Sequence, residues 1–208
     1  MDEPRLRRTS PAGPVRAAIL VLHGGREHSN EPVGATNLSY RLMAWLARGL
    51  ASHFGRSGVA VWLLRHRIRG WNASSNDVPP PVADARRAIE EIRAAHPTAP
   101  LVLVGHSMGG RTACAVADEP GVVGVCALAP WLPEGEPIEQ VKGRPLFVIH
   151  GTADTWTSPR LSRVYVERLV AHGSPAQWLP VDGAGHFLVK RVGTWRRLTH
   201  SAVAALLP

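Results

Sequence analysis

Lysine is almost missing from this 208-residue chain. Of 24 basic residues only Lys142 and Lys190 are lysine, and the rest are arginine. That bias, with abundant Ala, Gly and Pro, is what a GC-rich coding sequence yields. The net charge of +8 is therefore weak evidence for an acidic partner. The arginines are scattered, with no basic helix or aromatic-interleaved patch, so nucleic acid is not an expected partner. Cysteine is scarce too: Cys114 and Cys126 lie in apolar surroundings and read as small buried thiols, not as a disulfide framework. No run is long enough to span a membrane. Arg7-Arg8 is followed by Thr9-Ser10-Pro11 where a signal would need an apolar core, and the next apolar run, Ala17–Leu22, is too short for one. A cytoplasmic protein without a membrane partner is expected. No H-E-x-x-H, Cys/His cluster, dinucleotide fingerprint or P-loop occurs, so neither a metal nor a nucleotide cofactor is expected. There is no internal repeat and no low-complexity tract.

What is present is a core-forming chain, 45% hydrophobic and of a length natural for one domain. Residues 1–15 read as a polar N-terminal extension and 16–208 as a single domain. Six apolar runs read as strands: Ala17–Leu22, Val59–Leu64, Leu101–Val104, Val122–Ala129, Leu146–Ile149 and Ala176–Val181. Between and after them come helical patterns over Thr36–Phe54, Pro81–His96, Pro159–His172 and Thr194–Leu207, and a shorter one opening at Gly109. Alternation of this kind implies a mostly parallel sheet with helices on both faces. Fully apolar strands agree, because parallel strands are buried on both sides.

The most informative stretch is Gly105-His106-Ser107-Met108-Gly109, a G-x-S-x-G sequence between an apolar run and a helical pattern. Strand, tight turn and helix in that order form a nucleophile elbow, which lifts the serine Oγ above the sheet. Two later segments also place a polar residue just past a strand: Asp154 after Phe147–Ile149, and His186 after Trp178–Val181. A serine hydroxyl is a poor nucleophile unless a base takes its proton and a carboxylate orients that base. Ser107, His186 and Asp154 are the candidates for those roles. A turn serine, a surface-loop histidine and a helix-capping aspartate are the plainer readings of the same three residues.

With its chain order of Ser, Asp and His, the sequence resembles an α/β-hydrolase-fold serine hydrolase from about Arg16 to the C-terminus. The resemblance implies an α/β-hydrolase fold of about six strands, lacking the first two antiparallel strands and the cap. Residues before Arg16 look too few and too polar for the former, and Pro130–Arg144 is too short for a lid. It also implies two backbone donors for the oxyanion: Met108, after the nucleophile, and one from His23-Gly24-Gly25-Arg26. By the family's His-Gly-x pattern Gly25 is the first choice there and Arg26 the second; a plain glycine turn is the alternative. The activity implied is hydrolysis of a carboxylic ester or thioester of a small acyl substrate through an acyl-Ser107 intermediate. Acyl transfer, elimination or cyclisation on the same three residues is the second reading, and a catalytically silent binding module the third.

Other residues carry open readings. Arg65, Arg67 and Arg69 follow a strand on the active-site side. They suit an acyl group linked to coenzyme A or a carrier protein, or are simply a solvated arginine-rich loop. Trp71 and Trp131 lie on loops beyond strand ends, as hydrophobic anchors or as walls of an acyl pocket. Arg26 and His28 stand beside the same pocket without an assigned role, and no task is assigned to His106 or His150.

Overall fold

The computed structural model describes residues 3–73 and 77–208. The seven strands are β1 (Arg5–Thr9), β2 (Ala17–Leu22), β3 (Val59–Arg65), β4 (Leu101–His106), β5 (Val122–Leu128), β6 (Leu146–Gly151) and β7 (Ala176–Val181). The helices are α1 (Leu38–Phe54), α2 (Pro80–Ala95), α3 (Met108–Ala115), α4 (Pro159–Ala171) and α5 (Val192–Leu206). All strands join one sheet in the order β1-β3-β2-β4-β5-β6-β7, parallel except for β1.

Both sheet faces are apolar because alternate residues of each central strand feed different cores. In β2, Ala18, Leu20 and Leu22 pack with Ile89 and Ile92 of α2 and Tyr165 and Leu169 of α4. Ala17, Ile19 and Val21 pack on the other face with Met43 and Leu50 of α1 and Trp195 and Val203 of α5. Helix starts follow local chemistry. Pro80 and Pro159 open α2 and α4, where a missing N–H costs nothing, and the Ser158 hydroxyl accepts the Leu161 amide at 3.2 Å. None of the helices among the described residues is long and apolar enough to cross a membrane.

One expectation is corrected. Arg5–Thr9, read as part of a polar extension, pairs antiparallel with β3 from Arg5↔Arg65 to Thr9↔Val61, so the sheet has seven strands rather than six. Its sequence hid it because a strand at the sheet margin needs backbone pairing and little apolar surface. Leu6 alone packs on the core, and the Arg8 guanidinium lies 5.3 Å from the centre of the Trp62 ring. Residues 130–144 form turns only, with no helix or strand that would cap the sheet.

The chain runs from β2 outward to β3, then returns past β2 to β4. The crossovers therefore diverge between β2 and β4. A crevice opens beyond the carboxyl ends of strands at such a point, and ligands bind there in open α/β sheets. The loops carrying Gly25 and Ser107 both leave the sheet at that place.

Candidate active site

The turn from β4 into α3 is tight enough to dictate its glycines. A Cβ on Gly109 would sit 2.3 Å from the Leu22 carbonyl oxygen, so helix and strand approach to a distance only glycine permits. Ser107 itself has φ +56° and ψ −120°. That region is costly for a residue with a side chain, on the order of 1–3 kcal/mol. Neighbouring strands hold it there. The Ser107 amide donates to Leu128 at 3.0 Å, and the Ser107 carbonyl accepts from Gly110 at 3.0 Å and Trp131 at 3.1 Å.

The three polar residues flagged from sequence meet at this elbow. Ser107 Oγ lies 3.0 Å from His186 Nε2, and His186 Nδ1 lies 2.8 Å from Asp154 Oδ2. With an ionised carboxylate, Nδ1 carries the proton and Nε2 is left to accept from the serine hydroxyl. Asp154 and His186 are buried, and Ser107 is half-buried. The Asp154 carboxylate is densely satisfied. Oδ1 accepts the Trp156 amide at 2.8 Å and the Thr157 amide at 3.0 Å; Oδ2 accepts the Thr157 hydroxyl at 2.9 Å and His150 Nε2–H at 3.1 Å. Burial alone would raise the Asp154 carboxyl. The hydrogen bonds from His150, His186 and the Thr157 amide outweigh burial and hold it far below the usual carboxylate range.

His106 and His150 prove to be part of the site. Nε2–H of buried His106 donates to the His186 carbonyl at 2.9 Å and so fixes the loop that carries His186. Burial first, and the nearby His186 second, push its pKa down to about 3, so it stays neutral. His150 carried a visible signal, a histidine four residues before the candidate carboxylate, while nothing in the sequence linked His106 or Thr157 to it.

Gly25 lies where the loop after β2 is laced to the loop after β3. The Arg26 amide donates to Arg69 at 2.8 Å, and the Trp71 and Asn72 amides donate to Arg26 and Glu27 at 2.8 and 2.9 Å. A Cβ on Gly25 would fall 2.2 Å from the Arg69 carbonyl oxygen and 2.5 Å from Met108 Sδ. Since the Arg26 amide is spent on Arg69, the second choice for an oxyanion donor is occupied. Among the described residues, no turn, loop or cap hydrogen bond takes up the Gly25 or Met108 amide. His23 braces the same loop: its Nδ1–H donates to the Gly24 carbonyl at 2.7 Å, and its Nε2 accepts the His66 amide at 3.2 Å.

A cleft of about 300 Å³ opens over Ser107. Arg26, Glu27 and Ser39 border one part of it, and Trp131, Trp156 and Phe187 another. Trp156 is 72% exposed, lies nearly parallel to the His186 ring with centroids 6.1 Å apart, and meets Phe187 edge-on at 5.1 Å. Trp71 and Trp131 flank the Arg111 guanidinium at 4.1 and 4.5 Å, so Trp131 is both anchor and cleft wall. The arginine cluster is a different matter. Arg67 Nε donates to buried Asp84 at 2.6 Å and Arg69 pairs with Glu31, so two of its three charges are already matched within the chain. Asp84 and Glu31 lie far from the cluster in sequence, which is why the pairing could not be read there. Among the described residues no group of His, Cys, Asp and Glu is arranged to hold a metal ion.

Comparisons with known proteins agree with this architecture. The chain is similar in fold to an α/β serine hydrolase without a lid from Xanthomonas campestris, at 20% identity over 99% of this chain and 90% of that one, with a TM-score of 0.74. It is similar to Thermogutta terrifontis esterase 2, phosphonylated by cyclosarin, at 20% identity over 98% and 89%, TM-score 0.71. An α/β serine hydrolase homologue from Coxiella burnetii matches at 18% identity over 94% and 89%, TM-score 0.70. No curated protein matches the sequence. The family model for serine aminopeptidase, S33, matches residues 13–144, a segment that holds Gly25, Ser107 and Met108 and ends before Asp154 and His186. That match spans more than half of the chain, which belongs to the serine aminopeptidase S33 family of α/β-fold hydrolases.

Proposed function

We propose that this hydrolase cleaves carboxylic esters of small acyl groups through an acyl-Ser107 intermediate. One observation carries the reading: the continuous hydrogen-bonded line from Ser107 Oγ through His186 to Asp154, opening into a cleft. In the first half-reaction His186 Nε2 takes the Ser107 proton as Oγ attacks the ester carbonyl carbon. The oxyanion of the tetrahedral intermediate lies against the Gly25 and Met108 amides. The intermediate collapses, His186 delivers the proton to the leaving alkoxide, and alcohol departs. Water then attacks the acyl-serine by the same steps in reverse and releases the acid. Asp154 holds the imidazole tautomer and stabilises the imidazolium throughout.

Esters fit better than thioesters of coenzyme A or a carrier protein. Such substrates bring phosphate, and Arg67 and Arg69 are committed to Asp84 and Glu31. Among similar structures, Thermogutta terrifontis esterase 2 is phosphonylated by cyclosarin, which supports the choice of a phosphonylating probe here. Acyl transfer, elimination and cyclisation would use the same residues, and product analysis with and without an added alcohol or amine separates them.

The test uses a fluorophosphonate probe and a panel of short-chain esters. Expected are one phosphonyl group on Ser107 by peptide mass spectrometry, its absence in Ser107→Ala, and a loss of ester turnover in that variant by several orders of magnitude. Ser107→Ala retaining most of the turnover would sink the mechanism.

A further inference from the structure

His150 is the penultimate residue of β6 and is fully buried. Its Nε2 lies 3.1 Å from Asp154 Oδ2, the oxygen that also receives His186 Nδ1 at 2.8 Å. Two imidazoles thus converge on one carboxylate oxygen. The second imidazole is not free to turn. Its Nδ1 lies 2.8 Å from the hydroxyl of Ser162, a buried residue of α4. An ionised Asp154 requires the proton on Nε2, so Nδ1 is bare and Ser162 Oγ–H donates to it. The hydrogen-bonded line therefore runs from Ser162 through His150 to Asp154, and on through His186 to Ser107. An apolar residue of similar size at 150 would fill the same space, yet would leave the Ser162 hydroxyl and Asp154 each short of a partner. Filling the core does not explain the choice of imidazole.

We propose that His150 is a positioning residue for the reaction. By sharing the Asp154 oxygen with His186 it fixes the carboxylate and draws off part of its negative charge, so His186 holds its proton less tightly than it would opposite an unshared carboxylate. The proposal rests on the assignment of Ser107, His186 and Asp154 as reacting groups. Its consequence is a shift in working range. A general base must be unprotonated before attack, and a base that releases its proton more readily stays competent at lower pH.

His106 from β4 has its ring centroid 4.8 Å from that of His186, and burial keeps it neutral down to about pH 3, outside the window concerned. Arg26 and Glu27 face the cleft from the loop after β2. Both are untouched by changes at positions 150 and 162.

The experiment measures the rate of Ser107 phosphonylation by a fluorophosphonate probe against pH, which needs no knowledge of the natural substrate. His150→Leu is expected to move the rising limb to higher pH by on the order of one unit, since one charge-sharing hydrogen bond is lost. His150→Gln, whose side-chain amide nitrogen reaches toward the same oxygen, should stay near the wild-type limb. Ser162→Ala, which frees the imidazole to take the wrong tautomer, should shift it in the same direction by less. If His150→Leu fails to fold, Ser162→Ala decides: a shifted limb upholds the proposal and an unshifted one overturns it. A lowered rate with an unmoved limb in both variants also overturns it, because that is what simple loss of packing produces. Wild-type protein that takes no probe at any pH would instead overturn the assignment of Ser107 itself.

Discussion

Arg111 grips Glu136 through two nitrogens, Nε at 2.7 Å from one carboxylate oxygen and Nη2 at 2.7 Å from the other. The pair ties α3, directly behind Ser107, to the turns of residues 130–144 that stand where a lid would be. Of the two indoles that flank the guanidinium, Trp131 also walls the cleft, so the same tie supports one side of it.

Arg111→Met should therefore cost more than a surface ion pair does. It leaves a buried glutamate without a partner, a change worth about 3–5 kcal/mol. Urea unfolding is the measurement. Adding Glu136→Gln to that variant should recover part of the loss, and a loss below about 1 kcal/mol would place the pair with exposed ones.

The backbone of Ser107 gives a second expectation. With φ at +56°, glycine should suit the position better than alanine. Ser107→Gly is expected to exceed Ser107→Ala in stability by about 1 kcal/mol, after allowing for glycine's freer unfolded chain. Thermal or urea midpoints of the two variants make the comparison. Alanine proving the more stable would mean the elbow carries no strain.

Stability should fall on acidification earlier than the carboxylates alone require. Burial pushes the pKa of His23 and His106 to about 3 from 6.5. Between those values the unfolded chain binds two protons that the folded chain refuses. Stability is therefore level with respect to these groups above about pH 6.5 and declines below it, with a limiting slope of ~2.7 kcal/mol per pH unit. Asp154, held low in the folded state, adds its own loss once pH drops below the usual carboxylate value of 3.8. Urea midpoints from pH 8 to pH 4.5 test this, and a flat profile down to pH 5 would contradict it.

Trp156 stands beside His186, the group proposed to protonate the leaving alcohol. An aryl leaving group approaching His186 meets an indole whose place is set by its own amide on Asp154. Trp156→Ala should raise KM for a phenyl ester about two- to tenfold, the range of one aromatic pair. The ethyl ester of the same acid should be untouched. Under the proposed mechanism both pass through one acyl-enzyme, so a difference between them reports the leaving-group side. Equal changes would mean that the loop, not the stacking, had been altered.

The sequence revealed what depends on short-range pattern. Strands such as Leu101–Val104 and Val122–Ala129 were legible because burial on both faces demands unbroken apolar runs. Ser107 was legible because the elbow needs glycines at fixed offsets. Less visible were features set by distant partners. Arg5–Thr9 is a strand only because β3 offers it a ladder. The Arg67–Asp84 pair depends on α2 lying beneath the loop after β3. The environment of Asp154 draws on β6, the loop before α4 and the loop after β7 at once, and no single window of sequence contains it.

The added strand at the margin also bears on how the protein meets copies of itself. Open sheet edges are templates for another chain, and natural sheets guard them with charge or with proline. On one side Arg5, Arg7, Arg8 and Thr9 are exposed along β1. On the other, β7 carries Pro180, which has no N–H to offer an incoming strand. Both margins are thus poor nuclei for aggregation, and a sheet lacking the longer flank usual for its fold is still shielded from growing by recruitment.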